Sequence, residues 1–182
     1  WIREGAVWAD HWAYVDPVKN PLPEVENKSW AKHWIDHFSL SHYEREKSNP
    51  APDADPVTLI RRLHFDLTGL PPKSETVEKF VQNPSPKAYS ELVNKLLDSR
   101  HFGERMAIYW LDLVRYADTV GYHGDQPHNI SPYRDWVINA FHENMAFDQF
   151  TREQLAGDLL PNSTTQQKVA SGYNRLLQTT HE

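Results

Sequence analysis

Cysteine is missing from all 182 residues. Its absence excludes a disulfide framework, thiolate metal ligands, a cysteine nucleophile and covalent attachment of c-type haem within this stretch. Positive charge is in short supply: 19 Lys and Arg stand against 25 Asp and Glu, for a net charge of -6. The basic residues are dispersed rather than striped, so the chain has no footprint for nucleic acid. No apolar run approaches the roughly 18 residues of a membrane span, and a membrane-spanning role is not expected. Glycine-rich phosphate loops, G-x-S-x-G elbows and H-E-x-x-H metal signatures are also absent.

Aromatic residues are plentiful, with seven Trp, eight Tyr and seven Phe. Each buries a large area when covered. Trp1, Trp8, Trp12, Trp30 and Trp34 crowd into the first 34 residues. Residues 1–28 read as an arm: a short helix at about 1–8, then an extended stretch spaced by Pro17, Pro21 and Pro23. The arm's Trp residues are expected to pack the arm onto this domain or onto a missing neighbour, or to offer a stacking surface to a ring ligand. Without a leader before Trp1, the chain reads as a piece of a longer protein.

Beyond the arm the pattern is helical almost throughout. Trp30, Trp34 and Phe38 recur every four residues, predicting a helix over 29–46. Asp55-Pro56, Ser85-Pro86 and Ser131-Pro132 each read as a cap followed by an N1 proline. Gly69 ends the first of these helices, and Ser74 opens a short one. A long helix is expected over 103–119, another over 147–156, and a capping box at Thr164–Gln167 opens the last. No run alternates long enough for a strand. The expected fold is all-α, one irregular bundle of seven or eight helices over 29–182 behind the 1–28 arm.

Residues 119–131 form the one long irregular connection, carrying Gly121, Gly124, His123, Asp125 and His128. Asp112, Arg115 and Asp118 are three apart and would share a side of the helix before it. Arg134 opens the next helix, where the dipole does nothing for its charge. Two readings stand side by side. One is an ion-pair network that ties the helices together. The other is a polar pocket in which Asp118, His123 and Asp125 are catalytic candidates, and Arg115, Asp118, His123, Asp125, Arg134 and Asp158 bind the ligand. If Asp118 and Asp125 held a metal, oxygen ligation would favour calcium or magnesium over zinc. On the second reading, the loop lines the main concave polar surface.

Glu153, Gln154 and Asp158 surround Gly157 and suit structural hydrogen bonding, or a glycosidic carboxylate pair of Asp118 with Asp158. Gly157 itself is either a helix stop or a site of close helix contact. His33 and His37 stand four apart, a spacing that suits a shared metal but also arises readily among ten His.

Four motifs carry a family resemblance: RRLHFDLTGLPP (61–72), HFGERMAIYWLDLVRYADTVGY (101–122), YRDWVINAF (133–141) and FDQFTREQLAGDLLP (147–161). In this order they resemble the secreted planctomycete domain family of unknown function that follows a planctomycete-type cytochrome c domain. The resemblance implies a secreted, periplasmic or cell-surface parent protein. It places a haem c domain upstream, the opening WIREGAVWADHWAY being that domain's tail, and a further domain at the C-terminal side. Both domains are expected partners, and polysaccharide is a third. The family usually has proline where this chain has Trp34, so His33 and His37 fall where no family-wide site is expected. The resemblance implies no reaction. Three functions stay open: a helical module that binds or positions a partner, a catalytic domain acting on polysaccharide through the 119–131 loop, and a purely structural scaffold.

Overall fold

In the computed structural model, residues 2–6, 8, 10–120 and 124–176 are described. Eight α-helices occur among them: α1 (Trp34–Arg45), α2 (Pro56–Thr68), α3 (Ser74–Gln82), α4 (Pro86–Leu97), α5 (Arg100–Leu113), α6 (Ser131–His142), α7 (Phe147–Ala156) and α8 (Thr165–Ala170). Among the described residues β pairing is confined to an isolated antiparallel bridge, Thr119 with Pro127. The fold is therefore all-α, as the periodicity requires. None of the helices is long and apolar enough to cross a membrane, among the described residues.

The chain divides into two compact units, Trp1–Asp53 and Ala54–Glu182. Helix α1 lies in the first unit. Within the first unit, the helix expected over 1–8 is, among the described residues, a 3-10 turn, Ile2–Glu4, followed by Gly5 at φ +98°. The helix expected over 29–46 starts five residues late. His33 is its N-cap: the ring accepts from Ile35 N, while the Asp36 carboxylate accepts from Lys32 N and His33 N at 2.8 Å each. These backbone donors hold the Asp36 carboxyl below its ordinary range. Glu44 ties the extended strand of chain to α1 by accepting from Glu26 N and Asn27 N.

The second unit starts as its caps dictate. Asp55 Oδ1 accepts from Val57 N and Thr58 N, Ser85 Oγ accepts from Ala88 N, and the Thr164–Gln167 box is complete. Gly69 closes α2 in the left-handed region, at φ +70°. Two starts differ from expectation. Lys73 and Ile130 occupy the N-cap positions of α3 and α6, and Ser74 and Ser131 are already helical. The long helix also stops early, at Leu113. Arg115 turns to φ +59°, Arg115 N donates to Asp112 O, and Tyr116 N donates to Leu111 O, a Schellman closure with Arg in place of glycine.

The most extensive helix contact is between α5 and α6. It is close because Gly103 lacks a side chain: a Cβ there would lie 2.6 Å from Ile138 O. One buried core cluster consists of Ala107, Ile130, Tyr133, Trp136, Val137, Ala140, Phe150 and Ala170. Phe150 is its centre, with Trp136 stacked on it at 5.3 Å, Trp110 edge-on at 5.0 Å and Phe141 at 5.7 Å.

Candidate functional site

The 119–131 connection is closed at its base. His128 N donates to Asp118 O (2.8 Å) and Val120 N to Gln126 O (3.0 Å), and Val120 and Ile130 are buried on either side. Asp125 lies in the turn, at φ +39°. His123, a catalytic candidate, lies outside the described residues, as does Gly121. The Tyr116 hydroxyl donates to Asp118 Oδ1 at 2.7 Å. Burial, and then this bond to a carboxylate, push the Tyr116 hydroxyl up to about 12. Arg134 pairs with its own neighbour, Asp135, at 3.0 Å. That bond raises the guanidinium above its ordinary value, with Tyr116 and Asp118 adding to the field.

The structure thus makes two pairs here, Tyr116 with Asp118 and Arg134 with Asp135. It does not set Asp112, Arg115 and Asp118 on one helical side, because α5 has ended before Arg115. Arg115 is exposed and borders a cleft of about 290 Å³ with Trp110, Val114 and Tyr173. Asp158 is exposed in the 3-10 turn after α7, where its carbonyl accepts from Ser163 Oγ. Among the described residues, no three of His, Asp and Glu gather as a metal-holding group. His33 and His37 do not form a helical pair, since His33 caps α1 from outside.

Sequence reasoning missed a polar cleft of about 500 Å³ bordered by α6, α7 and the start of α8. Its lining includes Trp136, Asn139, Glu143, Gln149, Glu153 and Gln167. Glu153 is 5% exposed. Its Oε1 accepts from Gln149 Nε2 at 3.0 Å and from Gln167 Nε2 at 3.2 Å. The Gln167 amide cannot be reversed. Its oxygen accepts from Thr164 N in the capping box, which leaves the NH2 for Glu153. Gly157 lets α8 sit this close, because a Cβ there would run into the Gln167 carbonyl. Its φ of -59° is not that of a left-handed stop, so close approach is what requires glycine here.

Next to Glu153, Gln154 is 2% exposed and satisfied by the core. Its Oε1 accepts from the Tyr133 hydroxyl (2.6 Å) and the Trp110 indole N–H (2.9 Å), and its Nε2 donates to Phe150 O. The available signal was Phe150, Glu153 and Gln154 at i, i+3 and i+4. Two polar residues share the inward face with an aromatic one.

Fold and motifs together place the chain among all-α domains without an assigned reaction. It matches PSCyt2, protein of unknown function (DUF1549), over residues 34–182, and belongs to that family. No curated protein and no solved structure matches it.

Proposed function

We propose that this chain is a non-catalytic helical module of a secreted, cytochrome-c-linked protein, and that it binds or positions a partner domain or polysaccharide. The observation that carries the reading is the uncovered aromatic surface of the first unit. Trp8, Trp12 and Tyr14 are each more than 80% exposed. A cleft of about 900 Å³ in the same unit is lined by Val18, Pro21, Leu22, Trp34 and Phe38. Exposed aromatic rings and an apolar cleft mark interaction surfaces. The secreted setting and the haem domain rest on the family resemblance alone. With no cysteine in the chain, a c-type haem would be anchored outside these residues.

The test titrates the chain with a c-type cytochrome domain from a protein of this family and, separately, with acidic polysaccharide. One of the two is expected to bind, and Trp8→Ala/Trp12→Ala/Tyr14→Ala to weaken it at least about tenfold. No binding to either, or binding indifferent to the triple substitution, overturns the proposal. Polysaccharide cleavage that disappears in Asp118→Asn would establish the catalytic reading of the loop instead.

A further inference from the structure

The α6–α7–α8 cleft carries an inference of its own, independent of the aromatic surface. Two carboxylates line it, Glu143 and Glu153, and no Lys, Arg or His does so among the described residues. Glu153 is nine-tenths buried without a cationic partner among the described residues, and its two amide donors both address Oε1. Oε2 takes no hydrogen bond from a described residue and is not sealed away from the cleft. A buried carboxylate with one open oxygen and no counter-charge is poorly compensated. The remaining polar lining is amide and hydroxyl: Asn139, Gln149, Gln166, Gln167 and Thr164. Amide oxygens accept hydrogen bonds as the carboxylates do, but carry no charge to cancel theirs.

We propose that this cleft binds a guanidinium or primary ammonium group, with Glu153 as the buried carboxylate and Glu143 as the exposed one. A cation supplies both what Oε2 lacks, an N–H donor, and what the cleft lacks, positive charge. A guanidinium fits best, because its planar fork can address a carboxylate and a neighbouring amide oxygen together. The capping box of α8 is then part of the site. By fixing the Gln167 amide it holds Oε1 and leaves Oε2 for the ligand.

The experiment titrates the whole chain with agmatine and, in a second arm, with a short arginine-containing peptide, which separates a free small molecule from a side chain of a partner. A citrulline peptide and maltotriose are the neutral controls. Agmatine or the arginine peptide is expected to bind more weakly as salt rises and to shift the Gln149 and Gln167 side-chain amide resonances. Glu153→Gln is expected to weaken binding at least about tenfold and Glu143→Gln about threefold. Should Glu153→Gln fail to fold, Glu143→Gln and the amide shifts decide. The proposal is overturned if neither cation binds, if the neutral controls bind equally well, or if Glu143→Gln leaves affinity unchanged.

Discussion

Trp136 and Trp12 are the same side chain in opposite surroundings, one 4% exposed and the other 81%. Trp136 stands on α6, whose apolar positions recur at helical spacing, and Phe150 from α7 stacks on it. Trp12 stands in a 3-10 turn of three residues, followed by a stretch that Pro17, Pro21 and Pro23 keep from becoming a helix. Aromatic content alone does not make a core. Rings are covered where regular elements present faces to one another, and left open where the backbone offers no second face.

The largest expected effect separates these two Trp residues. Trp136→Ala should cost about 3–5 kcal/mol, while Trp12→Ala should stay within about 0.5 kcal/mol, as an exposed site does. Chemical denaturation of both variants checks it, and equal midpoints would break the comparison. Gly103→Ala tests whether the second unit depends on close helix approach. The added Cβ meets Ile138 O and the His142 Cβ, both on α6, and should cost about 1–3 kcal/mol. A smaller effect is expected at a cap: Ser85→Ala removes the acceptor of Ala88 N and should lower stability by about 1 kcal/mol.

The smallest expected effect depends on pH. His64 is partly buried and its Nε2 is enclosed without a hydrogen-bond partner among the described residues; burial, and then Lys95, lower its proton affinity below the ordinary value of 6.5. The unfolded chain therefore takes up this proton at higher pH than the folded chain does. The contribution of His64 is complete above about 6.5 and is lost as pH falls from there through the lowered folded value. Urea midpoints measured from pH 8 to 5 should fall less steeply in His64→Leu than in the parent. Identical slopes would show that His64 does not sense its burial.

Part of this was legible before any tertiary structure. Caps at Asp55, Ser85 and Thr164 and the stop at Gly69 are local chemistry, satisfied by residues one to four positions away, and each is found as read. The same locality explains two misreadings. The pattern through Val114 and Ala117 looked helical, but the Arg115 turn ends α5 first. Trp30, Trp34 and Phe38 suggested a helix from 29, but the reciprocal His33–Asp36 cap starts it at Trp34. Of the candidate site, the placement of Asp118 and Arg134 on either side of one loop was legible. The partner each selects was not: Asp118 takes the Tyr116 hydroxyl, and Arg134 takes Asp135.

The sequence by itself determined that the chain is α-helical, where most helices begin and end, and that thiol chemistry is absent. Helix spacing, capping and composition are properties of neighbouring residues, so no distant contact is needed to read them. Only the tertiary structure decided which rings become core, that Gly157 brings Gln167 against Glu153, and that a polar cleft opens where α6, α7 and α8 meet. Glu153 and Gln167 are 14 positions apart. Their meeting depends on how α8 packs against α7, and hydrophobic periodicity specifies which face of a helix turns inward but not which residues it will find there.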